Sequence, residues 1–240
     1  MKIAIVGAEE NKWKKEQKEK AIQLIDALLN FAVDGKLFLP PFHFTKTNTS
    51  YAVEGDTKKI DNNIILISGH CPKGKERWYC VDCKTWLDSF EEAETHIEVN
   101  GCDVIKVYDK GGVDTWVEII AKELGIKTEI YAPEVNQWND LITYQPLGDG
   151  TSVKVKYKGY RSRNIQIAEA CDVLYDIEPT HSCKYCKGRG KIVGGGMLLG
   201  EGSSIQKCKF CEGDGAYSGG TWALKYARKL GKEVHKVIIE

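Results

Sequence analysis

The sequence lacks a net charge and lacks any long apolar run. Its 34 lysine and arginine residues balance 34 aspartate and glutamate residues, so no overall electrostatic field draws the chain to nucleic acid or to a membrane. No stretch approaches the ~18 consecutive apolar residues of a membrane-spanning helix. The opening MKIAIVG is followed at once by two glutamates and several lysines, unlike a signal peptide. These features predict a cytoplasmic protein with no membrane partner.

Nine cysteines are unusual for a reducing compartment, where scattered disulfides do not persist. Four of them form two copies of a CxxCxGxG pattern, CKYCKGRG and CKFCEGDG, with 21 residues between the second and third cysteines. Four thiolates on two such knuckles make a closed tetrahedral zinc site with no position for water. The pattern predicts a structural zinc ion, with a redox pair or another metal such as iron as the alternative. The predicted ligands are Cys183, Cys186, Cys208 and Cys211.

A third CxxC motif lies between residues 73 and 110, near other potential metal ligands, namely His70, Cys71, His96 and Cys102. We interpret Cys71, Cys80, Cys83 and one histidine, His70, as candidate ligands of a second zinc site with three thiolates and one imidazole. A single CxxC motif indicates a metal site less strongly than the repeated motif does. The alternative is a small aromatic knuckle with free thiols.

Short apolar strands alternate with amphipathic helices elsewhere. Lys2 to Val6 ends in Gly7 before a helical pattern from about Lys14 to Asn30, and the run NIILIS ends at Ser68. This alternation predicts an α/β fold with an open parallel sheet, which binds ligands at the carboxyl ends of its strands. Candidate ligand-binding residues at these ends are Gly7, Ser68, Gly69 and His70.

Two glycines precede the next helical stripe, which begins at Val113. Glycines before a helix start allow backbone amides to approach an anion. We expect Asp114 or Thr115 to cap this helix. Gly111, Gly112 and Asp114 are therefore further candidates for the ligand site.

A later helix follows Gly159 and carries Arg161, Arg163 and Asn164 at its start. Arginine suits bidentate capture of phosphate or carboxylate, and the positive end of the helix dipole reinforces this. These residues are the predicted anion clamp, and a solvated helix face is the alternative.

The last glycine turn follows the paired cysteine motifs and opens the final helix. A serine and glycine turn at a helix start binds phosphate through main-chain amides. The four candidate residues are Ser218, Gly219, Gly220 and Thr221. The predicted organisation is a domain formed by 1–176 and 218–240, with an excursion over 74–110 and a zinc-binding insertion over 177–217.

Four segments together, IILISGHCP, GGVDTWVEIIAKELGI, GYRSRNIQIAEACDVLY and SGGTWALKYARKLGKEV, resemble the SLOG superfamily and most of all its YspA-like branch. The resemblance covers about two thirds of the chain and implies a Rossmann-like sheet with helices on both faces that binds nucleotides or nucleotide-derived ligands. It places the phosphate site at 218–221, with the arginines of the clamp across the cleft and Gly69 and Gly112 on its floor.

One departure from the family concerns catalysis. The LOG phosphoribohydrolases carry a glutamate after the glycine turn, where this chain has Trp222, Ala223 and Leu224. Without that carboxylate, Glu169 or Asp114 would have to stabilise the oxocarbenium-like centre, so the catalytic residues stay unknown. We expect a nucleotide-binding protein, with a nucleotide N-glycosidase as the alternative.

A third hypothesis is nucleic-acid binding through the zinc knuckles. Between His181 and Tyr217, six lysines or arginines face three acids, a difference of plus three. This excess is too small to favour nucleic acid by itself. A homo-oligomer that pairs through the sheet edge is a further open alternative.

Overall fold

The structure is a computed structural model of the chain and describes residues 1–48, 50–61, 63–69, 76–87, 89–108, 112–146, 152–193 and 205–240. Its helices are α1 (Lys15–Val33), α2 (Phe90–Asn100), α3 (Val113–Glu123), α4 (Tyr160–Ala170) and α5 (Gly219–Lys229). Its strands are β1 (Lys2–Gly7), β2 (Lys36–Lys46), β3 (Tyr51–Lys59), β4 (Ile65–Ser68), β5 (Glu76–Cys80), β6 (Thr85–Leu87), β7 (Val104–Tyr108), β8 (Thr128–Ile130), β9 (Leu141–Pro146), β10 (Ser152–Tyr157), β11 (Val173–Pro179), β12 (Lys191–Val193), β13 (Ile205–Lys207) and β14 (Glu233–Ile239).

The centre of the molecule is a five-stranded sheet in the order β14-β11-β1-β4-β8. All neighbouring strands are parallel, and β1 pairs with β11 with Ile5 opposite Tyr175. The predicted α/β class with an open parallel sheet is confirmed, and this architecture is compatible with a Rossmann-like fold.

Helices cover both faces of the sheet. Ile5, Tyr175 and Ile177 pack with α1 and α3 on one face, whereas Ala4 and Leu174 pack with α4 and α5 on the other. Strands buried on both faces are apolar throughout, as the runs in β1 and β4 are. The carboxyl ends of β1 and β11 therefore meet at one edge, beside the starts of α3, α4 and α5. None of the described helices has the length and apolar character needed to cross a membrane.

The chain also forms two antiparallel hairpins outside this sheet. β2 and β3 lie beside α1, and the Tyr175 hydroxyl donates to the Phe38 carbonyl at 2.7 Å. β9 and β10 form the other hairpin. They lie within residues 134–158, for which the polar sequence predicts irregular structure. That prediction was wrong because most side chains on both faces of this hairpin are exposed, so the sequence shows no alternating apolar pattern.

Two further units interrupt the α/β alternation. β5, β6, α2 and β7 form a small unit between β4 and α3, with β5 at the centre of its three-stranded sheet. The segment between β11 and α5 holds the paired CxxCxGxG motifs and the short hairpin of β12 and β13. β11 itself runs to Pro179, three residues past 176, the predicted boundary between the α/β domain and the insertion.

Candidate functional site

A cleft of about 470 Å³ opens where β1 and β11 end. The starts of α4 and α5, the loop between β8 and β9 and the CxxCxGxG segment surround it. Seven of the residues predicted from the sequence line it: Gly7, Asp114, Arg163, Asn164, Ser218, Gly219 and Gly220. The sequence did not assign to the ligand site several other lining residues, including Lys12, Trp138, Tyr160, Lys184, Tyr185 and Tyr217.

The remaining predicted residues lie away from the lining of this cleft or outside the described residues. Arg161 is exposed, and the Ser68 hydroxyl donates to Glu118. Gly112 packs against the backbone of Ala8 and Glu9. Outside the described residues are His70, Cys71 and Gly111.

A buried ion pair joins α3 to α4. Arg163 Nη1 lies 2.8 Å from Asp114 Oδ2, and the two side chains are only 8% and 9% exposed. A Cβ on Gly69 would lie 1.6 Å from the same Nη1 atom, so Gly69 makes room for this guanidinium. The predicted cap of α3 by Asp114 or Thr115 was wrong, because Gly112 occupies the N-cap without a side-chain hydrogen bond. Asp114 instead compensates a buried cation, which would be costly to leave unpaired.

The glycine turn before α5 is held from below. The Ser218 hydroxyl donates to Glu178 and accepts from the Gly220 amide at 2.9 Å, and the Thr221 hydroxyl donates to Asp176 at 2.8 Å. Ser218 therefore caps α5 itself and occupies an amide that the sequence assigned to phosphate. At Gly219, by contrast, the one described atom that an added Cβ would meet is the Asn164 amide nitrogen, at 3.7 Å. The backbone is thus open to a ligand at Gly219.

Asp176 and Glu178 lie on one face of β11 and are fully buried. Burial raises the pKa of Asp176 well above its ordinary value, and the neighbouring Glu178 carboxylate adds to the shift. Burial also raises the pKa of Glu178, although the Ser218 hydroxyl opposes the shift. Asp176 Oδ1 is buried and finds no hydrogen-bond partner in the part of the chain that the structure describes. Sequence reasoning missed this pair, although two acids at alternate positions of an apolar strand, VLYDIEP, mark one face of it.

The four predicted cysteines come together in one buried cluster. Their Sγ atoms lie within 4.8 Å of one another, and all four residues are fully buried. The two repeats bind each other symmetrically: the Cys183 amide donates to the Gly215 carbonyl and the Cys208 amide to the Gly190 carbonyl, both at 2.8 Å. The Gly190 and Gly215 amides donate to Cys186 and Cys211 Sγ at 3.2 and 3.3 Å, which stabilises thiolates. This cluster can hold a metal ion.

The repeats also place side chains at the cleft. Tyr185 stacks on Phe210, its counterpart in the second repeat, with ring centroids 3.5 Å apart. Lys184 and Tyr185 line the cleft, together with Tyr217 at the end of the segment. Lys225 of α5 donates to the Phe210 carbonyl at 2.7 Å, so the segment is fixed to the α/β domain.

A second group of potential metal ligands lies in the small unit between β4 and α3. Cys80, Cys83, His96 and Cys102 bring their ligand atoms within 4.8 Å of one another. The sequence assigned Cys71 and His70 to this group in place of Cys102 and His96. Cys71 and His70 lie outside the described residues, and the described group is complete without them.

No protein-family model matches the chain, and neither a curated protein nor a solved structure is significantly similar to it. The resemblance to the SLOG superfamily therefore stays a prediction. What the cleft and the two cysteine clusters do has to be inferred from their geometry and charge.

Proposed function

We propose that the protein binds a nucleotide or a nucleotide-derived ligand in the cleft, with zinc in the buried four-cysteine cluster fixing one wall. The strongest support is that cationic and aromatic side chains lie together in the cleft, beside backbone that a ligand can reach. Lys12 and Lys184 line the cleft with the open Gly219 and with the rings of Trp138 and Tyr185. Its volume falls within the ~300–1,000 Å³ of small-molecule sites.

Each part of a nucleotide has a counterpart in this cleft. The ammonium groups of Lys12 and Lys184 suit phosphate oxygens. Arg163 is less suited to this role, because its guanidinium is already paired with the Asp114 carboxylate. Aromatic rings suit a planar base, which stacks on them whatever its identity. Zinc suits the buried cluster because four thiolates with no open position form a structural site.

Isothermal titration with AMP, ADP-ribose, NAD and cyclic nucleotides tests this proposal. We expect Lys184→Ala to weaken binding by about tenfold or more, since a charge-assisted hydrogen bond contributes about 1.5–3 kcal/mol. Lys209→Ala is the matched control, because Lys209 occupies the equivalent position of the second repeat and does not line the cleft. Absence of binding by any of these ligands at millimolar concentration would refute the proposal.

A nucleotide N-glycosidase is the second candidate, favoured by the carboxylate of Asp114 in the cleft. Such a carboxylate stabilises an oxocarbenium-like centre or activates water. Glu169, the other replacement considered, is exposed and does not line the cleft. We expect this activity to release free base from a nucleoside monophosphate and to be lost in Asp114→Asn. Intact substrate after long incubation contradicts it.

A further inference from the structure

We propose that Cys80, Cys83, His96 and Cys102 bind a second zinc ion that folds the small unit between β4 and α3. This site is independent of the nucleotide cleft and of the buried four-cysteine cluster. Three thiolates and one imidazole are a common ligand set for structural zinc.

The four ligands come from separate parts of the unit. Cys80 ends β5, Cys83 follows in the turn toward β6, and His96 lies on α2. Cys102 comes just after α2, where Gly101 ends the helix with a left-handed φ of 64°. The Cys102 amide donates to the His96 carbonyl at 3.2 Å, so this turn brings the last two ligands together. A metal ion here would tie the sheet to the helix.

The spacing of the ligand atoms fits a tetrahedral metal. Cys83 Sγ and Cys102 Sγ are 3.5 Å apart, close to the about 3.8 Å expected between two sulfurs bound to one zinc at ~2.3 Å. The Cys83 amide donates to Cys80 Sγ at 3.3 Å. An amide-to-sulfur hydrogen bond of the same length occurs in the buried cluster, where the Gly215 amide donates to Cys211 Sγ at 3.3 Å.

The imidazole provides an independent indication. Among the described residues, the buried His96 Nδ1 has no hydrogen-bond partner, although buried polar atoms are nearly always satisfied. In the metal group, the ligand atom that His96 offers lies within 4.8 Å of the three sulfurs. Coordination of zinc by this nitrogen would provide the partner that it lacks.

The unit has little else to hold it together. Among the described residues, its buried core consists of Cys80, Leu87 and Ala93. Phe90 and Val99 of α2 are 60% and 74% exposed. A core this small does not offset the entropy of ordering the unit, whereas zinc binding is itself folding free energy in such modules.

Metal analysis of the full chain, purified with a reductant, tests the proposal. We expect two zinc ions per chain by elemental analysis and native mass spectrometry, and one in the Cys83→Ser/Cys102→Ser variant. Cys171→Ala, which changes a buried cysteine outside both clusters, is the control and keeps two. One zinc in the wild type, unchanged by the double substitution, overturns the proposal, as does a disulfide between Cys83 and Cys102.

Release of zinc to a chromogenic chelator gives a second readout that does not depend on how well the double variant folds. Cys83 is exposed, whereas all four cysteines of the other cluster are buried. We therefore expect the wild type to release zinc in a fast and a slow phase of equal amplitude. In His96→Ala only the fast phase should change: it should disappear or become faster. A single slow phase in the wild type contradicts the proposal.

Discussion

The two cysteine clusters use similar chemistry in different surroundings. The four-cysteine cluster is fully buried and is fixed to α5 through Lys225, and its segment lines the cleft with Lys184 and Tyr185. The cluster with His96 has an exposed cysteine, and none of the described residues of its unit lines the cleft. The difference indicates that the first cluster supports one wall of the cleft and the second supports only its own unit.

The largest difference between the clusters should appear when each loses its ligands. Cys183→Ser with Cys208→Ser should release one zinc and unfold the segment locally, because structural zinc contributes about 10–16 kcal/mol to such modules. Ligand affinity should fall more than about tenfold as Lys184 and Tyr185 lose their positions.

Cys83→Ser with Cys102→Ser should leave ligand affinity unchanged. Titration calorimetry and hydrogen exchange at the Cys183 and Cys208 amides measure the two outcomes. Equal loss of affinity in both double variants would contradict the assignment of separate roles.

A smaller difference should appear at two glycines with similar backbone angles. Gly190 has φ of 69°, and a Cβ there would lie 2.1 Å from the Gly213 carbonyl oxygen, whereas Gly101 has φ of 64° and nothing within 4 Å. Gly190→Ala should cost more than about 2 kcal/mol of local opening free energy, because strain and overpacking add. Gly101→Ala should cost about 1 kcal/mol, from strain alone. Hydrogen exchange measures both, and equal costs would show that the two repeats are not interlocked.

The most gradual effect concerns pH, and it tests the buried carboxyl pair of Asp176 and Glu178. The unfolded chain ionises Asp176 above about pH 4, whereas the folded carboxyl keeps its proton because burial raises its pKa. The contribution of Asp176 to stability should therefore be greatest below about pH 4 and fall as the pH rises toward the raised pKa, by at most about 1.4 kcal/mol per pH unit for one proton.

Asp176→Asn keeps an acceptor for Thr221 and should flatten this slope between about pH 5 and 8 in thermal unfolding. Asp56→Asn, on an exposed position of β3, is the control. Parallel curves for wild type and Asp176→Asn would contradict the raised pKa.

Local patterns predicted much of the fold. The CxxCxGxG repeats specify their own turn geometry, so the sequence correctly predicted which four cysteines cluster. The strands around Ile5 and Leu174 and the helix of Leu24 were also recognisable, because apolar periodicity is a short-range signal.

Contacts between distant segments were harder to predict. Asp114 and Arg163 are 49 residues apart, and no local pattern shows that one neutralises the other. His96 and Cys102 are close to the CxxC motif only because α2 turns back at Gly101. Lys184 and Tyr185 looked like part of a zinc knuckle, and their position at the cleft depends on how the segment packs against α5.

Glu178 has one further consequence, which concerns removal of the CxxCxGxG segment. Its Oε2 atom accepts from Ser182 at 3.2 Å and its Oε1 atom accepts from Ser218. The residues on either side of the CxxCxGxG segment therefore meet at one carboxylate. A segment whose two ends lie close together can be inserted or deleted in a single event without changing the order of the strands. A tight turn between Ser182 and Ser218 should therefore give a shorter chain with β11 and α5 unmoved and one wall of the cleft removed.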